Sequence, residues 1–419
     1  MDGIRDFRKF QLGREVKNGG GAGTPVAATA IMRGQWVGQD DTPINYPAEN
    51  IGMIVETTRG YIPFVLGSIN QGPDPLTFEQ FPYILAAAIR GIEKGQADGI
   101  GSGKIYQYPW PMTAAGVELI AATLSFTTAT KTIADSANGL GFIKPGDLIR
   151  VSGAVNGPNN GIFTVATAAA GAITTIEAIT TEPAGATITI EVLTQVYTAE
   201  GGNNALVERS AYSYPTSFEL SGNGGADQDA IMLSSSWFTR QWAKLAAGFT
   251  AGITLPTVSE VLFGHSKLYI DAIGGTIGTT EKTDTLEAFS YKATTGLKHQ
   301  FAGTGNLFFS KVERKSRVQL ACSISMFQNA AALVEYEAWR NQTPRLIRIK
   351  IEGPALATPG TTYTKKTLML DMPGTWTSFP SPDEVEGAEV LVGEFRPAYD
   401  PVAGIGPSIT VVNELAALP

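Results

Sequence analysis

Between Phe142 and Val165 the chain reads FIKPGDLIRVSGAVNGPNNGIFTV, and no other stretch constrains the fold as much. Leu148, Ile149 and Val151 form a short apolar run opened by the turn pair Gly146-Asp147. Ser152 to Gly161 is dense in Gly, Asn and Pro, which supply the φ angles and local hydrogen bonds of tight turns. Ile162, Phe163 and Val165 then resume a β-compatible run. A second pair of runs follows, AITTIEAIT and ATITIEVL, joined through Glu182-Pro183-Ala184-Gly185. Four short strands with turns between them predict a small antiparallel module, placed at 120–198. It carries no obvious catalytic residues, which points to a building block rather than an enzyme.

The rest of the 419-residue chain is long enough for one or two further domains. Hydrophobic residues make up 43% and charged residues 17%, ample for a buried core. With 47 glycines and 24 prolines, the text fits an all-β protein with many turns. Residues 1–24 read as a flexible arm ending in Gly19-Gly20-Gly21-Ala22-Gly23, ordered only against a partner. Residues 25–119 and 199–419 read as one discontinuous β-domain interrupted by the module. In NIGMIVETTRG, Ile51, Met53 and Val55 alternate as in a half-buried strand. A helix is predicted from Pro82 to Gly91, with Pro at its entry and Gly at its exit. Ile84, Leu85, Ala88 and Ile89 would lie on one face of it, against a sheet. A second helix is predicted over Ala330–Arg340. Strand-like runs fill the remainder, so the expected fold is mainly β, a twisted barrel or sandwich with one or two flanking helices and the small inserted all-β module.

The chemistry-bearing residues are few. The formal charge is −8, which opposes a role in gripping nucleic acid phosphates. Cys322 is the single cysteine and excludes an intrachain disulfide framework. It reads as a small buried hydrophobe, since neither His265 nor His299 sits in a recognisable cysteine-hydrolase pattern. Gly99 to Lys104 resembles a phosphate loop but fails the match: Asp98 stands where the motif needs its first Gly, and Ile105 where it needs Ser or Thr. A flexible surface loop is expected there. Gly222 to Asp229, GNGGADQD, lacks the spacing of an EF-hand and reads as a turn between strands, with a weak calcium site between subunits as the other reading. Asp383, Glu384 and Glu386 read as a solvated turn rather than a glycosidase pair. Trp237, Trp242 and Trp339 read as core or interface. Asn341-Gln342-Thr343 fits a glycosylation sequon but no secretory signal accompanies it. No run of about 18 apolar residues exists, so no membrane-spanning helix is expected. No catalytic, cofactor or metal residues are assigned, and no cofactor is expected.

Three regions carry a resemblance. The first is GTPVAATAIMRGQWVG through AENIGMIVETTRGYIPFVLGSINQGPDPLTFEQFPYILAAAIRG. The second is YSYPTSFELSGNGGADQDAIMLSSSWFTRQWAKLAAGFTAGITLP. The third is KLYIDAIGGTIGTTEKTDTLEAFSYKATTGLKHQFAGTGN, with AALVEYEAWRNQTPRLIRIKIEG after it. Together they resemble the tail tube, or major tail, proteins of long-tailed bacteriophages over most of 20–120 and 200–419. The resemblance implies a structural virion protein and not an enzyme. It would be made in the host bacterial cytoplasm and placed in the virion tail. Six copies would form a ring, and stacked rings would make a conduit for DNA ejection. It implies as partners further copies of the chain, the tape measure protein and phage DNA in the lumen, and the terminator and distal tail proteins. The arm 1–24 and the loop 93–104 are the expected ring-to-ring contacts. Two other readings stay open: another virion part, such as a capsid decoration protein or a baseplate ring, and a carbohydrate-binding or depolymerase protein.

Overall fold

The computed structural model describes residues 5–16, 22–55, 57–111, 118–224, 229–303, 305–380, 382–385, 387–402 and 404–418. The protein is mainly β, with two α-helices among these residues. The runs rich in Val, Ile, Thr and aromatic residues become long antiparallel strands, as their fit to a pleated, half-buried surface dictates.

The front sheet begins at Trp36–Asp40, which pairs with Gly67–Pro75. Met232–Thr239 comes next, and then the second half of Val207–Asn223. Leu286–Thr294, Gln319–Phe327 and Ala388–Pro397 complete it. The far margin is formed by Gly374–Ser378 and the short strand Asp383–Val385. The back sheet runs Ser266–Ala272, Arg345–Ala355, the first half of Lys365–Ser378, Ser408–Asn413, Lys104–Pro109 and Gln96–Ala97. Between the two lies one core, with Phe218, Trp237 and Ile324 on the front strands and Ile349, Leu370 and Ile409 on the back ones. The arrangement is a sandwich. No closed barrel forms, because the front sheet has two separate margins.

Two strands belong to more than one sheet. Val207–Asn223 leaves the front sheet at a register shift between Pro215 and Ser217 and enters a side sheet. Tyr212 there takes a left-handed φ of 61°, a strained conformation for an aromatic residue. The side sheet also holds Ala30–Met32, Lys9–Arg14, Tyr197–Gly202 and Ala243–Lys244. Lys365–Ser378 passes from the back sheet to the front margin near Pro373-Gly374.

The side sheet corrects the expectation of a free arm. Phe10, Gln11, Leu12 and Gly13 sit on a strand paired on both sides, and Phe10 and Leu12 are buried. Apolar side chains on a central strand outweigh the glycines that follow. Residues 1–4 and 17–21, including Gly19-Gly20-Gly21, lie outside the described residues.

Helix α1 spans Phe81–Ala88, with Pro82 in its first turn. All eight residues are buried, so it is enclosed rather than laid on a sheet by one face. The tyrosine hydroxyls of Tyr108 and Tyr197 donate to the Pro82 and Tyr83 carbonyls at 3.2 and 3.0 Å. Gln195 N donates to Ala86 O, and Arg314 to Ala88 O, which answers C-terminal carbonyls that no helical turn can satisfy. Helix α2 spans Ala330–Arg340, and the Asn329 side chain caps it by accepting from Ala332 N at 3.0 Å. No helix among the described residues is long and apolar enough to cross a membrane.

A separate seven-stranded sheet runs in the order Glu118–Ala121, Ile188–Val192, Leu148–Ser152, Gly161–Ala169, Ala172–Thr175, Thr132–Asp135, Leu124–Thr127. It has its own core around Phe126, Ile149, Phe163 and Ile190. The sequence places this module at 120–198, but Tyr197 and Thr198 already belong to the side sheet. The two runs after Val165 do not pair with each other. Ala172–Thr175 pairs with Gly161–Ala169 and Thr132–Asp135, whereas Ile188–Val192 pairs with Leu148–Ser152 and Glu118–Ala121.

The module is clamped to the sandwich. Arg90, just past α1, lies 3.0 Å from the Asp147 carboxylate, and both side chains are buried. Gly91 N donates to Leu193 O at 2.8 Å and Leu148 N donates to Gly91 O at 3.0 Å. A Cβ on Gly91 would come within 2.8 Å of that Leu193 oxygen, so the close approach requires glycine. Burial pushes the Asp147 carboxyl up to about 6, against the opposing pull of Arg90.

Candidate assembly surfaces

The outer face of the front sheet is polar. Phe218, Leu220, Trp237, Tyr291 and Ile324 point into the core, so their neighbours on each strand point out. Those neighbours are Ser217, Glu219 and Ser221, then Ser234 and Ser236, Ser290 and Lys292, and Ser323 and Ser325. Glu219 accepts from Ser290 Oγ at 3.1 Å and lies 3.6 Å from Lys292 Nζ. The polar alternation legible in LVERSAYSYPTSFEL therefore holds from Thr216 onward, while Ser210 to Pro215 are buried on both sides. A shallow cleft of about 580 Å³ opens at one end of this face, lined by Ser221, Asn223, Asp229, Ser290, Ser323 and Ser325. Its described lining holds hydroxyls and one carboxylate, with no nucleophile–base pair.

Each margin of the front sheet is an edge. Trp36–Asp40 has one partner strand among the described residues, and Val37, Gly38, Gln39 and Asp40 are exposed. Asp383–Val385 forms the opposite margin, where Asp383 and Glu384 are exposed. An unpaired strand edge presents N–H and C=O groups ready to bond another chain.

Next to the Trp36–Asp40 edge, residues 42–63 overturn the strand expected around Ile51. The only bridge there among the described residues is Asn45 to Tyr61. Ile51, Met53, Ile54 and Val55 are exposed, with Ile54 at 105% and Val55 at 74%. Alternating apolar residues made a strand plausible, but no neighbouring strand pairs with them. Covering each such side chain is worth about 1.5–3 kcal/mol.

The loop 93–104 corrects the expectation of a flexible loop. Asp98 is buried and accepts from Thr362 N at 2.9 and 3.0 Å and from Tyr363 N at 2.7 Å. Burial acts to raise its carboxyl, but these donors win and hold it below the usual range. Gly101 lies so close to Gly360 that an added Cβ would meet its Cα at 2.4 Å. Ser102 Oγ donates to Glu414 Oε1 at 2.6 Å, and Lys104 belongs to a back-sheet strand. The loop is thus folded onto 356–363, and Ile100 is its one highly exposed apolar side chain.

The remaining candidates come apart in space. Cys322 faces the core, where burial pushes its thiol well up. His299 Nδ1 is 2.8 Å from Tyr214 Oη, and its ring packs against Phe238, Phe301 and Phe309. Trp237 and Trp242 are buried, and Trp339 donates to Thr377 O at 3.2 Å. Asn341-Gln342-Thr343 closes α2. In GNGGADQD, residues 225–228 lie outside the described residues, as does Glu386. Among the described residues no group of three or more His, Cys, Asp or Glu side chains converges as metal ligands do.

One buried site escaped the sequence reading. Glu182, assigned there to a turn, is buried and accepts from Val155 N, Asn156 N and Asn159 Nδ2 at 2.8, 3.0 and 2.8 Å. It sets the shape of the Gly/Asn/Pro segment 153–160. Its position before Pro183 gave no signal for a contact so distant in sequence.

No family model matches the chain. No curated protein matches it either.

Proposed function

We propose that this chain is a structural subunit that joins copies of itself side by side through the front sheet, and that it serves as the tail tube protein of a long-tailed bacteriophage. The observation that carries the reading is the open front sheet. It has an exposed strand edge at each margin and a serine-rich outer face. Side-by-side pairing of six copies satisfies both edges in a closed ring, since edge and partner edge lie on opposite margins of one subunit. A hydroxyl-lined inner wall in an acidic protein gives a passing DNA few cations to release counterions against. The apolar segment 42–63 beside one edge adds buried area to such a contact. The sequence resemblance supplies the virion setting and the identity of the tape measure protein, DNA and tail-end proteins as partners.

Negative-stain electron microscopy of the purified protein tests the reading. Rings or tubes with a central channel are expected. A chain that stays monomeric in analytical ultracentrifugation at all concentrations and salts, and that hydrolyses or binds glycans, overturns it.

A further inference from the structure

Charge is divided between the two ends of the front sheet. Beyond the start of Gln319–Phe327 the chain forms a two-stranded hairpin, Leu297–Gln300 with Lys311–Arg314. Lys298, Lys311, Lys315 and Arg317 are exposed there against one exposed carboxylate, Glu313, in a chain of net charge −8. Glu313 pairs with Lys311 and Lys315, which partly neutralises the array. Phe301 and Leu307, between the two strands, are exposed beside them. Gln319–Phe327 has nine residues, so its other end lies about 27 Å away. There Phe327 pairs with Val390, and the hairpin Asp383–Val385 with Ala388–Val390 extends past it. Asp383, Glu384 and Glu389 are exposed on that hairpin. Gln328, just before α2, donates its N–H to Glu389 O, and Leu333 and Val334 in the first turns of that helix are exposed, lining a shallow groove of about 400 Å³ with Glu337 and Arg345. Phe379, which leads into the hairpin, packs on Tyr336 and Trp339 of the same helix.

We propose that these two ends dock on each other between copies: the basic hairpin of one subunit seats on the acidic hairpin and the first turns of α2 of the next. The inference rests on the self-assembly reading and names the contact that runs along the strands rather than across them. The occupant is a second copy because one chain carries both halves of the match, charged and apolar, at opposite ends. A contact between unlike surfaces of identical chains closes into a ring only if its rotation allows; directed along the strands, from one end of the sheet to the other, it repeats as a stack. Nucleic acid is a poorer fit, because Glu313 stands among the cations.

Paired charge reversals test this. In Lys311→Glu/Lys315→Glu the first end becomes acidic, and in Asp383→Lys/Glu384→Lys the second becomes basic. Each variant alone is expected to lose association about tenfold or more at low salt, with unchanged circular dichroism. The two mixed together are expected to restore it, since each supplies what the other lacks. Rescue on mixing supports the contact. Single variants that associate like the parent chain overturn it, as does failure of the mixture to rescue. So does a Lys311→Glu/Lys315→Glu variant that loses duplex DNA binding but keeps association, since the hairpin is then a nucleic acid contact. Microscopy separates the two claims. Single rings without stacks in each variant leave the ring reading intact, whereas mixed association without rings keeps the end-to-end contact and sinks the ring.

Discussion

The segments 93–104 and 42–63 form an instructive pair. The first is rich in glycine and looks free in sequence. In the folded chain one carboxylate, Asp98, holds two backbone N–H groups, and the loop packs on 356–363. The second is rich in Ile, Met and Val and looks like part of a core. Yet its apolar side chains stand in solvent, and Glu49 makes its contacts with Thr57 and Arg59 inside the same segment. Irregular backbone in this protein is pinned by buried carboxylates: Asp98, Asp147 at the module seam and Glu182 in the module. The segment 42–63 has no such anchor among its described residues. The glycine-rich segment is the pinned one, so a buried carboxylate, and not glycine content, decides which loop is held to the fold.

The sharpest break of this contrast is in assembly. Replacing Ile51, Met53, Ile54 and Val55 together by Ser removes about 6–12 kcal/mol of coverable apolar surface. Sedimentation is expected to show loss of the assembled state, while the free energy of unfolding in urea changes by no more than about 0.5 kcal/mol. A large fall in monomer stability would mean that the segment belongs to the core. For the anchored class the opposite holds. Arg90→Ala leaves Asp147 buried without its partner and is expected to cost about 3–5 kcal/mol in urea unfolding. Asp98→Ala strands the Thr362 and Tyr363 N–H groups, with an expected cost of about 1–3 kcal/mol. Neither has a reason to alter how subunits meet once folded.

The smallest effect is a matter of sign with pH. Asp147 keeps its proton up to about 6 in the folded chain, against about 4 when unfolded. Folding takes up a proton between those values, so its contribution rises as pH falls from about 6 to about 4. Asp98 is shifted the other way, so its contribution is present above about pH 4 and lost below it. Stability curves of Asp147→Asn and Asp98→Asn against the parent should diverge in these separate windows. Parallel curves for Asp147→Asn would mean that the seam is open to water.

Local chemistry was legible and distant pairing was not. Helix α2 was readable because its start, Asn329, and its run to Arg340 are encoded in adjacent residues. The entry of α1 was marked by Pro82, but its complete enclosure depends on Tyr108, Tyr197 and Arg314, which no local pattern ties to it. In the module, neighbouring runs looked like natural hairpins. The actual partners of Ile188–Val192 lie further back, at Leu148–Ser152 and Glu118–Ala121. The exposed state of Ile54 was hidden for a related reason: alternation states which residues are apolar, and only a partner strand decides whether they are covered. The basic hairpin went unnoticed because Lys298 and the run from Lys311 to Arg317 meet only once the strands pair.

The back sheet carries a consequence for how the chain is made. Its strand Lys104–Pro109 bonds to Ser408–Asn413, roughly three hundred residues further along the chain. The module between them, by contrast, finds every one of its strands within 118–192. On a ribosome the module can finish while the sandwich around it is still half a sheet, waiting for its final partner. Non-local pairing of this kind folds slowly, so closing the sandwich, and not folding the module, sets the pace at which the native chain appears.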